Sequence, residues 1–262
     1  MDAGMSDWRE QYRLMGNLSS FRGREQRALD LLKDVMSRDK PAVCCSFGKD
    51  SIVITHLCLR IDPNIPVLFS DRSTEGGGEL PETYELIDTW KRKYRINLHI
   101  GHPDRTLFDI MDSFADPFGA DESRVLYSIR KHITVKPLQE LQEKLGVSVV
   151  IMGLRAEENP KTRGKLARYR GALFRSPHSD RWTCNPIINW SARDVWTYIV
   201  KYNLPYHPIY DQEKFRTRED IRISNWAGVP GRTVGRFVEL KYHYPDLWQK
   251  LIEKYPEAGK YV

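Results

Sequence analysis

Short apolar runs alternate with segments of helical periodicity over much of the chain. Four runs have the length of buried strands: 41–47, 65–70, 96–100 and 147–152. Three intervening segments carry apolar residues at helical spacing: 50–60, 81–94 and 138–145. This alternation predicts an α/β fold built on a Rossmann-like, doubly wound and mostly parallel sheet.

Two regions lie outside this alternation and predict extensions of a single α/β domain over residues 41–211. Residues 1–40 predict a helical N-terminal extension. Residues 212–262 contain Pro230, Pro245 and Pro256, and predict a C-terminal extension of loops and short helices packed on the same domain. The polar stretch from Glu157 to Arg181 has the composition of a mobile loop.

Composition predicts where the protein is found and the charge of its partner, but it identifies no ligand. No apolar run reaches the length of a membrane span, and residues 1–13 lack the core of a signal peptide. We therefore expect a cytoplasmic protein with no membrane contact. The net charge of +6 favours an anionic partner.

The segment Ser46-Phe47-Gly48-Lys49-Asp50-Ser51 joins the first core strand to its helix. Gly48 permits close approach of the backbone, the amides of a helix N-terminus favour an anion, and Lys49 adds a positive charge. The pattern differs from the Walker A loop, which needs Gly at Val43 and Ser or Thr at Asp50. The segment therefore predicts a phosphate cradle; the alternative is an ordinary turn capped by Ser or Asp.

Three further motifs follow this loop along the chain. They are Leu80-Pro81-Glu82-Thr83-Tyr84-Glu85, Gly153-Leu154-Arg155-Ala156-Glu157-Glu158, and Asn185-Pro186-Ile187-Ile188-Asn189-Trp190 with its continuation to Tyr206. In this order and spacing, the four motifs resemble the PP-loop (adenine nucleotide alpha hydrolase-like) superfamily, and most closely its phosphoadenosine phosphosulfate (PAPS) reductase family. The resemblance covers about residues 41–211 and implies a sheet of the HUP/PP-loop type.

The resemblance also implies roles for individual residues. Lys49, Asp50 and Arg155 would be catalytic, and Mg²⁺ would accompany ATP or a related adenine nucleotide, with Asp50 or Asp71 as its candidate ligand. No iron–sulfur cluster is expected, because the cysteine pairs that would bind one are absent from the sequence. The implied nucleotide-binding residues are Ser46, Phe47, Gly48, Lys49, Asp50, Ser51, Asp71, Gly153 and Leu154.

Two departures from the family pattern affect the predicted chemistry. Asp71 is followed by the longer segment Arg72–Glu79, where the family usually has Thr-Gly, so the substrate pocket is expected to differ. No cysteine follows Cys184, whereas thioredoxin-dependent PAPS reductases carry a C-terminal Cys-Gly-x-His segment. Ordinary PAPS reduction is therefore not expected. Cys184 is the candidate thiol; the alternative is a small buried residue at a strand edge.

Basic and aromatic residues are interleaved between Lys161 and Trp182. This composition suits contact with phosphates and stacking on bases. The segment could close over the nucleotide or bind an anionic second substrate such as RNA, and the sequence leaves both open, as it does a homodimer or a partner subunit. The candidate phosphate-binding residues are Lys161, Arg163, Arg168 and Arg170.

Three functions remain, in order of preference. The first is a PAPS reductase-like PP-loop enzyme of sulfur metabolism that adenylylates an acceptor, releases pyrophosphate and in one version then transfers sulfur. The second is a sulfonucleotide reductase with a non-standard cysteine. The third is a non-catalytic module that binds nucleotides or nucleic acid.

Overall fold

The computed structural model describes residues 8–159, 161, 163–176, 179–227 and 236–262. Residues 38, 163, 165, 166 and 168 are described by their backbone alone. The chain divides into two compact units, each built from separate stretches of sequence. The first comprises 1–68, 86–99 and 142–207, and the second 69–85, 100–141 and 208–262. The boundaries predicted at residues 40 and 211 stay predictions.

A six-stranded sheet forms the centre of the first unit. The last two residues of β2 and the last two residues of β3 are grouped with the second unit. The strand order is β3-β2-β1-β4-β6-β5. β1 pairs in parallel with β2 and β4, and β4 with β6, whereas β5 is antiparallel to β6. The predicted Rossmann-like α/β class is thereby confirmed. The strands are β1 (Pro41–Cys44), β2 (Pro66–Ser70), β3 (Asn97–Gly101), β4 (Val149–Ile151), β5 (Leu173–Arg175) and β6 (Trp182–Cys184).

Helices cover this sheet and bury its apolar side chains. α3 is apolar around its whole circumference, with Ile52, Val53 and Leu57 fully buried, as a helix enclosed on several sides requires. α9 begins at a capping box in which the Ser191 hydroxyl accepts from the Asp194 amide. The helices are α1 (Trp8–Gly16), α2 (Ser19–Arg38), α3 (Lys49–Leu59), α4 (Glu82–Tyr94), α8 (Arg163–Arg170) and α9 (Ala192–Lys201); the first four residues of α4 are grouped with the second unit.

The second unit is mainly helical and has an aromatic core. The ring of Phe118 packs edge-on against Phe237 and Tyr255, and Phe237 contacts Trp248. These contacts pack Trp248 and Tyr255 within the second unit. The helices are α5 (Leu107–Met111), α6 (Glu122–Ile129), a π-helix (Arg130–Val135), α7 (Lys136–Lys144), 3₁₀ turns at Pro208–Asp211 and Pro256–Tyr261, α10 (Arg236–His243) and α11 (Pro245–Lys254); the last three residues of α7 are grouped with the first unit.

The prediction that residues 157–181 form a mobile loop is wrong for much of that stretch. It contains α8 and the strand β5. β5 forms because Leu173 and Phe174 align with Cys184 and Thr183 of β6, and this pairing outweighs the polar composition on either side.

None of the helices in the described part of the chain combines the length and apolar character that a membrane span requires.

A buried glutamate joins three helices of the first unit. Glu25 on α2 accepts hydrogen bonds from Arg60 Nη1 at 2.6 Å, from Lys201 Nζ at 2.7 Å and from the Tyr202 hydroxyl. Burial alone would raise the pKa of Glu25, but these bonds and the charge of Lys201 outweigh burial and lower it. The ionised carboxylate therefore stabilises the contact of α2 with the ends of α3 and α9.

Replacing this carboxylate is expected to destabilise the protein in a pH-dependent way. Glu25→Gln should lower the free energy of unfolding at pH 7 by about 2 kcal/mol, since it removes the charge that pairs with Arg60 and Lys201 and leaves the Tyr202 hydroxyl with a weaker acceptor. The pKa of Glu25 is lower in the folded protein than in the unfolded chain. The difference in unfolding free energy between the unaltered protein and the variant is therefore fully present above the unfolded-state pKa. It should shrink as the pH falls through the native pKa. Urea unfolding between pH 3 and 7 measures it. Glu10, which forms an exposed ion pair with Arg13, provides the control substitution Glu10→Gln. Equal effects of the two substitutions on the free energy of unfolding would contradict the role assigned to Glu25.

Candidate functional site

The loop between β1 and α3 contains a residue in a strained backbone conformation. Phe47 adopts φ 56°, in the left-handed region, although its side chain is fully buried. A side chain in this conformation costs about 1 kcal/mol, which the burial of the ring offsets. Gly48 then precedes α3 as its N-cap. The first-turn amides of an α-helix have no intrahelical acceptor, so this end of α3 is suited to an anion.

The Ser51 hydroxyl organises this loop. It accepts from the Ser46 amide at 3.1 Å, donates to the Gly48 carbonyl at 2.9 Å and lies 3.3 Å from the Ser46 hydroxyl. The Cys45 thiol lies 3.7 Å from the same oxygen. The sequence predicts a phosphate contact for Ser51; the structure shows its hydroxyl engaged within the loop.

A buried charge cluster joins the loop to the end of β4. Lys49 and Arg155 are each only 3% exposed. Lys49 Nζ lies 3.5 Å from Asp50 Oδ2, while Arg155 Nε contacts Asp50 Oδ1. Burial opposes the charge of Arg155, but Asp50, Glu158 and Glu157 outweigh burial and raise its pKa. The three residues predicted to be catalytic therefore lie together.

Two glutamates for which the sequence predicted no role complete this cluster. Glu157 accepts from Arg155 Nη1 at 2.6 Å and from the Ala192 amide, at the start of α9, at 2.7 Å. Glu158 accepts from the Arg155 amide at 3.2 Å. Arg155 is thus oriented by Asp50 on one side and Glu157 on the other. The repeated acidic residues two and three positions after Arg155 were the only signal in the sequence.

Gly153 allows β4 to approach the first turn of α3. A β-carbon at this position would lie 2.7 Å from the Asp50 carbonyl oxygen, which is closer than atoms in contact allow. The resemblance implied that Gly153 gives room to adenosine. The close neighbour in the structure is the backbone of α3, so this glycine also fixes the distance between Arg155 and the loop.

Asp71 follows the carboxyl end of β2 and belongs to the second unit. Its Oδ1 accepts from the Tyr84 hydroxyl at 2.6 Å and from the Ser73 amide at 3.0 Å. His102 Nδ1 lies 3.9 Å from Oδ2. The segment after Asp71, which departs from the family pattern, folds back so that buried Arg72 and Glu79 form an ion pair at 2.5 Å.

The remaining predicted site residues differ in their exposure to solvent. Leu154 is partly buried, Lys161 and Arg170 are exposed, and Cys184 is fully buried on β6. The backbones of Arg163 and Arg168 lie on α8, and their side chains are outside the described residues. Over the described ranges, no group of three or more His, Cys, Asp or Glu side chains is arranged to hold a metal ion.

Comparison with known proteins identifies the family of the chain. Residues 40–247 match the family model described as "Phosphoadenosine phosphosulfate reductase domain". The chain belongs to this family. A phosphoadenosine 5'-phosphosulfate reductase of Xylella fastidiosa is 31% identical over 66% of this chain and 68% of its own length. An adenosine 5'-phosphosulfate reductase of Lysinibacillus sphaericus is 31% identical over 70% of this chain and 78% of its own.

Solved structures agree on the fold of this PAPS reductase family member. The phosphate complex of phosphoadenylyl-sulfate reductase from Candida auris aligns with a TM-score of 0.54 at 18% identity, covering 81% of this chain and 93% of that one. At this level of identity, the likeness supports the α/β fold alone.

The close approach at Gly153 gives a direct test of the site's geometry. Gly153→Ala should push β4 and α3 apart and lower the free energy of unfolding by about 2 kcal/mol, as overpacking of a filled contact does. Thermal unfolding measures the change. Gly259→Ala is the matched control, because a β-carbon there meets no atom within 4 Å. Unchanged stability of Gly153→Ala would contradict the contact.

Proposed function

We propose that this chain is a PP-loop enzyme that binds ATP or a related adenine nucleotide at residues 46–51 and adenylylates an acceptor, releasing pyrophosphate. Membership of the PAPS reductase family supports an enzyme that acts on adenine nucleotides. The glycine-containing turn before α3, with buried Lys49 and Arg155 beside it, supports phosphate as the group bound there. Sulfur transfer to the activated acceptor is a further step of the same proposal.

The burial of the four cysteines is the observation that favours adenylylation over reduction of a sulfonucleotide. Cys45, Cys58 and Cys184 are buried and Cys44 is half-buried. Burial raises the pKa of Cys44 and of Cys184 to about 12, and it raises the pKa of the other two thiols as well. Attack on a sulfonucleotide requires an accessible thiolate. The cysteines of this sequence therefore favour a reaction that needs no thiol nucleophile over the reduction of a sulfonucleotide.

The proposed chemistry is an in-line displacement. A nucleophilic atom of the acceptor attacks the α-phosphorus of ATP, and a bond forms between the acceptor and the adenylyl group. The bond from the α-phosphorus to the bridging oxygen breaks, and pyrophosphate leaves with the electron pair. Lys49, Arg155 and the loop amides would stabilise the charge that develops on the phosphates, and burial strengthens that effect. Asp50 and Glu157 would keep Arg155 in position.

Mg²⁺ suits one of its two candidate ligands better than the other. Both carboxylate oxygens of Asp50 face cations, Arg155 and Lys49. Asp71 uses Oδ1 for hydrogen bonds from Tyr84 and Ser73, whereas Oδ2 faces only His102 among the contacts described. Within the second unit, Asp71 Oδ2 would therefore be the more available carboxylate oxygen for Mg²⁺, a cation that prefers oxygen ligands; Asp50 stays the alternative.

Nucleotide binding is the first test. Titration calorimetry should detect ATP binding to the unaltered protein, and Lys49→Ala should weaken it about 10- to 100-fold, the worth of a charge-assisted contact. Lys241→Ala changes an exposed lysine and should leave the affinity within about twofold. Retention of full affinity in Lys49→Ala would refute the cradle.

The reaction itself is tested with ATP, adenosine phosphosulfate and PAPS side by side. With water as the minimal acceptor, we expect slow release of pyrophosphate from ATP, retained in Cys184→Ser and abolished in Lys49→Ala. Sulfite release from either sulfonucleotide in the presence of a thiol reductant, lost in Cys184→Ser, would overturn adenylylation and establish the reductase alternative. Binding without release of either product would leave the protein as a binding module.

A further inference from the structure

The net charge of the chain is concentrated in one short segment. Residues 161–181 contain seven of the 41 lysines and arginines but only one of the 35 acidic residues, Asp180. The remaining residues carry 34 of each sign, so the whole net charge of +6 lies in these 21 residues. We call residues 161–182 the basic edge. Such a local excess marks a surface for a polyanion, since the rest of the chain is balanced.

The described strand residues of the basic edge lie at one margin of the sheet. The basic edge contains α8 and β5, the last strand in the sheet order, and ends at Trp182 on β6. Arg175 is directly opposite Trp182 in the antiparallel pair, so their side chains share one face. Arg170 lies 5.7 Å from the ring centroid of Phe174, whose register partner is Thr183. On each face of the β5–β6 pair, a cation therefore lies beside an aromatic ring: Arg175 with Trp182 on one face, and Arg170 with Phe174 on the other.

Two of these aromatic side chains are unusually open to solvent. Tyr169 is 78% exposed and Trp182 is 38% exposed. Exposed rings beside arginines provide stacking platforms for unpaired bases, which present a π-face whatever their sequence. A duplex hides those faces, so the pattern favours a single strand.

The extent of the charge argues against the phosphates of one nucleotide as its only ligand. α8 alone has eight residues and is about 12 Å long. Successive phosphates are about 3.4 Å apart along the axis of a helical strand and farther apart in an extended one, so a surface of this length spans the phosphates of more than one nucleotide. A membrane surface fits less well, because the sequence of the helix, Arg-Gly-Lys-Leu-Ala-Arg-Tyr-Arg, contains a single large aliphatic residue.

We propose that the basic edge binds a single-stranded nucleic acid. Lys161 follows Arg155 closely along the chain, so the strand would be bound near the cluster that contains Arg155. That this strand is the acceptor of the adenylyl group rests on the proposed function; the binding itself does not.

Fluorescence anisotropy with labelled single strands of RNA and of DNA, each about 20 nucleotides long, tests the proposal. The double variant Lys161→Glu/Arg170→Glu should weaken binding at least about tenfold at about 100 mM salt. The slope of log affinity against log salt should become less steep by about 1.4, which is about 0.7 for each of two phosphates that are no longer neutralised. Lys241→Glu/Lys250→Glu makes a matching charge reversal at two exposed lysines outside the edge and should cost less than about threefold. Tyr169→Ala should weaken binding about fivefold or more without changing the slope.

Several outcomes would overturn the proposal. They are no binding of either single strand at about 100 mM salt, equal losses in the two double variants, or tighter binding of a duplex of the same length. ATP affinity, measured by calorimetry on the same proteins, is the second readout. Loss of ATP affinity in Lys161→Glu/Arg170→Glu with strand binding intact would assign the edge to the nucleotide. Strand binding without ATP binding in the unaltered protein would refute the proposed function alone.

Discussion

The contact between the end of β4 and the first turn of α3 determines the geometry of the candidate site. Gly153 lets the two backbones meet at the Asp50 carbonyl, and Arg155, two residues later, then reaches the Asp50 side chain. Lys49 lies on the other side of the same carboxylate. Without that approach, two buried cations would lack the anion that makes their burial tolerable. Phosphate binding at this point would add anionic charge to a cluster already held in place.

The arrangement separates two tasks within the loop. Ser51 and Phe47 shape the turn, one through hydrogen bonds and the other through burial in a strained conformation. Lys49 and Arg155 supply positive charge, and Glu157 connects Arg155 to the start of α9. Rigid supports of this kind are what electrostatic catalysis needs, because donors that are already oriented require no rearrangement during the reaction.

The sequence predicted the elements that depend on local pattern and missed those that depend on distant contacts. Strands near 41, 65 and 147 were recognisable because buried parallel strands are nearly continuous in apolar residues. Their juxtaposition brings the loop and Arg155 to the same edge, as parallel topology requires. The role of Glu157 could not be predicted, since its second partner is the amide of Ala192, 35 residues away. β5 was missed because its flanks are polar and its pairing with β6 is antiparallel.

Amide hydrogen exchange with and without ATP tests the central claim most directly. If the amides before and at the start of α3 bind phosphate, ATP should slow exchange at residues 46–52 more strongly than anywhere in α10 or α11. If exchange at 46–52 is the same with saturating ATP, or if protection appears only at sites distant from this loop, the phosphate cradle is in the wrong place.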